Sequence, residues 1–300
     1  MNARLGLGVA ILAALIVVAV VPWAFTSFPE DYSDTLRSVE TPTGTDWLFA
    51  PEAPSPYYPF GTDQYGYDIL TRIVYGLRWT LGCVFIVAAA RTVVGGGIGA
   101  ARALAGRPGA DRGVSPLAGI PSFVVAFFVL YPFSINSPWQ GWRLFAFQCA
   151  VLSVLDLGPI VGATAAKTSA LLDAAFVEAA SSAGAGRSWK FGRHVMPFLA
   201  EELLESFADQ TVSVLQLVGR LGVFMIFIGG TVMTFDPPIL NSTTGEIAGL
   251  IGLYRVRLLG ARWMLTWPLA AYLIVLAGAR LFSSGLRERE RRRHRLYDSR

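Results

Sequence analysis

The chain has 300 residues, of which 53% are hydrophobic and 15% are charged, and its mean hydropathy is +0.49. Soluble domains carry roughly a quarter charged residues. A water-soluble chain of this length could not bury so much apolar surface, so the composition excludes an ordinary soluble protein and indicates that a bilayer solvates much of the chain. The net charge of +4 comes mostly from arginines in a few short stretches.

The first apolar run extends from Leu5 to Phe25. At 1.5 Å per helical residue it can cross a bilayer core of roughly 30 Å. A cleaved signal peptide is the alternative, but the run is longer than a usual h-region and its end offers no A-x-A-like cleavage site. We therefore predict that residues 1–26 form a retained first transmembrane helix.

A polar stretch rich in proline, tyrosine and aspartate follows at residues 27–78, and we predict that it is extracytoplasmic. The later apolar segments lie at about 79–104, 114–134, 142–166, 207–235 and 262–283. Their many small residues permit close helix approach in lipid. The sequence predicts an all-α polytopic membrane protein of about six transmembrane helices, with a five-helix core at 79–283 and a basic tail at 284–300.

Basic residues in short loops indicate the cytoplasmic side of a membrane protein. They cluster after the second and fourth apolar segments and in the tail: Arg102, Arg107, Arg112, Lys167, Arg187, Lys190, Arg193 and the eight arginines from Arg280 onward. This pattern predicts that both termini are cytoplasmic and that residues 27–78 and 236–261 lie outside. Arg255 and Arg257 in the second of these segments oppose the scheme.

Three charged residues, Arg91, Asp156 and Arg220, fall near the middle of predicted crossings. Charges at that depth are costly and normally face a partner or a water-filled path. We hypothesise that Asp156 pairs with Arg91 or Arg220 and locks the bundle, so that a charge swap restores folding. A lining role in a translocation path is the alternative.

The segment 167–206 lies between the fourth and fifth crossings. Leu172, Ala175 and Ala179 share one helical face there, and Gly184 and Gly186 then end the helix. A second basic helix is predicted to follow, and a proline is predicted to turn the chain toward the membrane. Such a compact projection can dock into a groove on a soluble partner.

The motif within this segment is Glu178-Ala179-Ala180, then Gly184, then His194-Val195-Met196-Pro197. In residue types and spacing it resembles the EAA loop of bacterial ABC importer permeases. In that family the loop is a coupling helix that fits a cleft in the ATPase subunit. The resemblance implies that Glu178, Ala179, Ala180, Gly184 and Pro197 couple this chain to an ATPase.

A second motif, Gly61-Thr62-Asp63 with Gly66 and Asp68, looks like the G-T-D-x-x-G-R-D signature of the C-type permeases of dipeptide, oligopeptide and nickel importers. Tyr67 replaces the arginine of that signature. The tail sequence from Ser284 to Glu288 looks like the closing G-D-x-L-R-D of the same group, with Ser284 at the position of aspartate.

These resemblances imply a permease subunit in the bacterial cytoplasmic membrane that forms half of a translocation pathway for peptides, nickel or a related small solute. They imply a homologous permease subunit as heterodimer partner, two ABC ATPase subunits, an extracytoplasmic binding protein and membrane lipid. The chain lacks the G-x-x-x-x-G-K-[ST] phosphate loop, so we expect ATP to be used by the partner subunits. We expect no enzymatic activity, no bound cofactor or metal, and no nucleic acid. An ATP-independent secondary transporter or channel is the alternative.

Overall fold

The computed structural model is mostly helical, with 68% helix and eight α-helices in the part of the chain that it describes. It describes residues 3–41, 44–107, 119–175, 191–235 and 238–298, together with Val177, Gly184, Gly186 and Trp189. The predicted all-α class is confirmed at this level. Two small antiparallel hairpins, β1–β2 and β3–β4, are additions that the apolar pattern did not predict.

The helices are α1 (Ala3–Val20), α2 (Ile69–Leu104), α3 (Ser122–Ser134), α4 (Trp142–Val154), α5 (Leu157–Leu172), α6 (Met196–Val223), α7 (Ile247–Tyr254) and α8 (Arg262–Asp298). The strands are β1 (Leu36–Thr41), β2 (Gly44–Phe49), β3 (Thr231–Phe235) and β4 (Pro238–Ser242).

Three of the described helices, α1, α2 and α8, are long and apolar enough to cross a membrane. The pair α4 and α5 passes the same test as one broken span, bent by 49°. Helix α3 is apolar but shorter. These lengths and compositions are those of a membrane protein.

Contacts between the long helices show their relative directions. Gly8 of α1 lies against Phe282 of α8, and Gly285 lies against Leu5, so α1 and α8 are antiparallel. Helix α6 is antiparallel to α2, because Leu203 packs on Gly96 while Gln210 reaches back to Arg91. Helices α2 and α5 run in the same direction and pack through small residues, as close approach in lipid requires. We call the end of the bundle with Arg4, Arg107 and Arg287 the basic end.

Helix α2 begins at Ile69, ten residues before the apolar segment that the sequence pattern places at about 79–104. The carboxylate of Asp68 accepts the Thr71 backbone N–H at 2.8 Å and caps the helix. Ile69, Ile73 and Leu77 are buried. The first turns of α2 are therefore anchored by packing against the protein, although this stretch is too polar on average to stand out as an apolar segment.

The predicted helical segment 207–235 is also corrected. Helix α6 begins earlier, at Met196, and ends at Val223. Gly229 and Gly230 then adopt positive φ angles of 87° and 113°, which end regular structure and lead into β3. After Val223, Ile226, Phe227 and Ile228 are buried in a loop, whereas Phe224 and Phe235 are 52% and 75% exposed.

The chain between α6 and α8 folds back into the bundle instead of forming a simple external loop. Gln148 of α4 donates to the Phe227 carbonyl at 3.0 Å and accepts from the Gly229 N–H at 2.7 Å. The Ile247 N–H donates to Thr80 of α2 at 3.1 Å. Seven of the eight residues of α7 are buried, so this short helix is part of the core.

Candidate functional site

The 167–206 segment joins two helices at the basic end. Helix α5 ends at Leu172 and α6 begins at Met196. Glu178, Ala179 and Ala180 lie outside the described residues. Gly184 adopts a φ of +84°, and a Cβ there would meet open space. The left-handed backbone, and not crowding, therefore favours glycine at this position.

A single π-helical turn, Phe191–Val195, leads into α6. Pro197 follows in the first turn of that helix. Trp189, Met196 and Phe198 are 54%, 42% and 53% exposed. These three apolar side chains are therefore exposed in and beside the turn that leads into α6.

Arg91 is fully buried in the middle of α2 and connects three helices. Its Nε and Nη2 donate to the Leu152 carbonyl of α4 at 2.9 and 2.7 Å. Its Nη1 donates to Gln210 Oε1 of α6 at 3.1 Å. A planar guanidinium can make these bonds together because its donors form a fixed fork. Arg91 therefore links α2 to the broken span and to α6.

Because the helix breaks between α4 and α5, the Leu152 carbonyl is available to accept hydrogen bonds from Arg91. Pro159 has no N–H for the Leu155 carbonyl, and its ring would clash with that carbonyl in a continuous helix. Asp156 adopts a left-handed φ of 60° at the break. The first helix of the pair ends at Val154, and Arg91 hydrogen-bonds to the Leu152 carbonyl near that end.

Asp156 lies beside Arg91 and not beside Arg220. Its Oδ2 is 3.7 Å from Arg91 Nη1, which is an ion-pair contact but longer than a hydrogen bond, and its side chain is 37% exposed. Arg220 is exposed in the last turn of α6, with its guanidinium 6.0 Å from the Phe123 ring centroid. It was predicted near the middle of a crossing, but α6 ends three residues later, at Val223.

At the opposite end of the bundle, Asp63 is completely buried and connects distant parts of the chain. Its Oδ1 accepts the backbone N–H groups of Tyr65 and Tyr67 at 2.9 and 3.0 Å. Its Oδ2 accepts the Tyr254 hydroxyl of α7 at 2.8 Å. Burial raises the pKa of Asp63, opposed by Arg72 and by these hydrogen bonds.

The neighbouring residues extend the same cluster. The Glu52 N–H donates to Thr62 Oγ1 at 2.7 Å, and the Trp263 indole N–H donates to the Thr62 carbonyl at 3.2 Å. A Cβ on Gly61 would lie 2.7 Å from the Glu52 carbonyl, and one on Gly66 would lie 2.2 Å from the Asp34 carbonyl. Both glycines also have positive φ, so these turns exclude larger residues.

We call the group formed by Thr62, Asp63, Arg72, Tyr254 and Trp263 the aspartate clasp. It joins the start of α2 to α7 and to the start of α8. Arg72 also connects the clasp to strand β4, because its Nη2 donates to Asn241 Oδ1 at 2.6 Å. Its guanidinium also lies 4.6 Å from the ring centroid of Tyr67, the residue that replaces the arginine of the G-T-D signature.

The structure therefore brings Thr62, Asp63 and Gly61 together in a structural cluster, with Asp68 capping the adjacent helix. Sequence patterns did not identify the partners that complete the two sites: Leu152, Gln210, Tyr254, Trp263 and Arg72. The one available signal was chemical, since a buried arginine or aspartate must find hydrogen-bond partners. Within the described ranges, no group of His, Cys, Asp and Glu residues is arranged to hold a metal ion.

In comparisons with known proteins, no protein-family profile and no curated protein matches this chain.

Proposed function

We propose that this chain is a transmembrane permease subunit of an ABC importer for peptides, nickel or a related small solute. The carrying observation is the 167–206 segment, which has the residue spacing of an EAA loop and joins α5 to α6. Exposed Trp189, Met196 and Phe198 supply an apolar surface beside it. Such a surface suits a soluble ATPase that docks at the basic end.

The proposed mechanism is alternating access driven by the partner ATPases. A movement of the docked 167–206 segment acts on α5 and α6 together, because these helices leave its two ends. Arg91 hydrogen-bonds to the broken span and to α6. The broken span at Asp156 supplies a hinge, so that α5 can tilt while α4 keeps its contacts with residues 227–229.

The proposed topology has six crossings with the basic end in the cytoplasm of a bacterial cell. Helices α1, α3 and α6 then run outward, and α2, the α4–α5 pair and α8 run inward. This assignment agrees with the antiparallel packing of α1 on α8 and of α6 on α2. The aspartate clasp lies outside, where it holds the ends of α2 and α8 together, and a homologous permease and a binding protein complete the importer.

Affinity purification of the tagged chain from native membranes, followed by mass spectrometry, tests this proposal. We expect an ABC ATPase to copurify with the unchanged chain and to be lost from Gly184→Trp. Gly119→Trp is the matched control, since Gly119 also has a positive φ and open space around its Cβ but lies in another loop. The control should retain the ATPase.

Recovery of the chain alone, in mild detergent and with the segment intact, would contradict the ABC importer and favour an ATP-independent transporter or channel. Equal loss of the ATPase from Gly184→Trp and Gly119→Trp would also remove support. It would show that a tryptophan at any positive-φ loop position disrupts the complex, so the loss would not identify residue 184 as part of a docking surface.

A further inference from the structure

A cavity of about 600 Å³ lies at the basic end between α1, α6 and α8. Four arginines contribute to its lining: Arg4, Arg280, Arg287 and Arg291. The close packing of Gly8 on Phe282 and of Gly285 on Leu5 fixes the positions of α1 and α8 at its edge. The cavity is therefore built by three helices and is more than a cluster of tail residues.

Two acidic residues line the cavity, Asp209 and Glu288, and Asp209 is already paired with its neighbours. Asp209 Oδ2 is 2.5 Å from Arg287 Nη2, and Asp209 Oδ1 accepts the Ser283 hydroxyl at 2.5 Å. Arg4, Arg280 and Arg291 have no carboxylate at ion-pair distance within the described ranges. Among the described residues, four arginines therefore face two carboxylates in this cavity, and three of these arginines have no ion-pair partner.

Apolar side chains continue from these cations along the same helices. Leu7 lies one turn from Arg4 on α1, and Leu273 lies two turns from Arg280 on α8. They are 54% and 53% exposed. A cationic cavity at a helix end, next to exposed apolar residues toward the helix middle, matches a phospholipid with its phosphate at the interface and its acyl chains beside the helices.

We propose that this cavity binds the phosphate head group of an anionic phospholipid from the bilayer leaflet at the basic end. Arg4 and Arg280 contact the phosphate, and the acyl chains lie against Leu7 and Leu273. An arginine near an anionic membrane surface contributes about 1 kcal/mol, which is about fivefold in affinity for each residue. The ion pair of Arg287 with Asp209 holds α8 on α6 and shapes the cavity wall.

The test is the thermal-unfolding midpoint of the purified full chain in detergent, titrated with phosphatidylglycerol, phosphatidylcholine or inorganic phosphate. Phosphatidylglycerol should raise the midpoint in a saturable way, and phosphatidylcholine should have little effect. The double variant Arg4→Gln/Arg280→Gln should bind phosphatidylglycerol about thirtyfold more weakly. The matched control Arg257→Gln/Arg262→Gln removes two exposed arginines at the opposite end and should keep the response.

An unchanged response in the double variant would overturn the proposal, as would an equal effect of the two lipids. Stabilisation by inorganic phosphate equal to that by phosphatidylglycerol would assign the cavity to a free anion instead. If the double variant does not fold, Arg280→Gln alone is expected to bind the lipid about fivefold more weakly, and an unchanged affinity would overturn the assignment. None of these outcomes depends on an ATPase partner.

Discussion

At the scale of single residues, the structure shows how a buried charge can be satisfied mainly by a carbonyl. Arg91 donates two hydrogen bonds to Leu152 and one to Gln210, while the Asp156 carboxylate stays 3.7 Å away and is 37% exposed. Hydrogen bonds from a charged donor are stronger than those between neutral groups. The break in the α4–α5 span and the arginine opposite it therefore depend on each other.

Arg91→Met should lower the midpoint of thermal unfolding in detergent, because about 1–3 kcal/mol is lost for each buried acceptor left unsatisfied. Asp156→Asn should have a much smaller effect. The swap Arg91→Asp/Asp156→Arg should not restore stability, since an aspartate cannot donate to the Leu152 carbonyl. Recovery of the original midpoint in the swap would show that the ion pair is the dominant interaction, as the sequence alone led us to hypothesise.

Asp63 should make the stability of the protein depend on pH. Its pKa is raised in the folded state by burial, so the folded chain binds this proton more tightly than the unfolded chain does. The contribution of Asp63 to the free energy of unfolding is then largest below the unfolded pKa of about 3.9 and decreases as pH rises through the folded pKa.

The measurement compares the unfolding midpoints of the original chain and Asp63→Asn between about pH 4 and about pH 7. The original chain should lose stability relative to the variant as pH rises over this range. A constant difference would mean that the pKa of Asp63 is not raised in the folded protein. A gain in relative stability with rising pH would mean that the pKa is lowered.

At the scale of helices, small residues decide how α2 meets α5. A Cβ on Gly99 would lie 2.6 Å from the Val161 carbonyl oxygen, whereas Gly97 has no atom within 4 Å of the same position. Real Cβ atoms do not approach a backbone oxygen so closely, so α5 can lie at its observed distance only if residue 99 has no side chain. The position of α5 also fixes where the 167–206 segment begins.

Gly99→Ala should therefore destabilise the protein by about 1–3 kcal/mol through overpacking. Gly97→Ala on the same helix is the matched control. It should be neutral or stabilising by up to about 1 kcal/mol, because alanine has the higher helix propensity. Thermal unfolding in detergent measures both, and equal effects of the two substitutions would show that helix propensity, and not the contact with α5, controls the result.

At the scale of the whole molecule, the directions of the helices agree with the proposed orientation, although Arg255, Arg257 and Arg262 lie at the end that would face outside. Arginines gather at the end where α2 and α8 pass out of the apolar region, and the aspartate clasp closes the other end. Three features would each make an isolated helix less stable in a bilayer: the α4–α5 break, the shortness of α3 and the charges in the first half of α6. In the proposed bundle, neighbouring helices cover these weak spans.

Cysteine labelling in intact cells checks this orientation. A membrane-impermeant maleimide should label Leu259→Cys, whose residue is 94% exposed, and should label Arg107→Cys only after the cells are opened. The two native cysteines, Cys83 and Cys149, are 0% and 4% exposed and should give little background. Labelling of Arg107→Cys in intact cells would place the basic end outside and contradict the proposed topology.

The sequence by itself determined the features that depend on nearby residues. Composition predicted that lipid solvates much of the chain, and three of the described helices are long and apolar enough to cross a membrane. The apolar pattern located most of the long helices. Gly184 has the left-handed backbone that was expected of a glycine at a turn. Pro197 was expected at a turn toward the membrane and lies instead within the first turn of α6. Asp68 also had the residue type of a helix cap, although its cap was recognised only from the structure.

Only the tertiary structure decided which distant groups meet. Arg91 is 61 residues from Leu152 and 119 from Gln210, and Tyr254 is 191 residues from Asp63. The chain between α6 and α8 likewise forms hydrogen bonds with Thr80 and Gln148, which lie on other helices. Turn, cap and helix preferences act over a few residues. The partners of a buried polar group are set by the packing of the complete bundle, and no local sequence pattern carries that information.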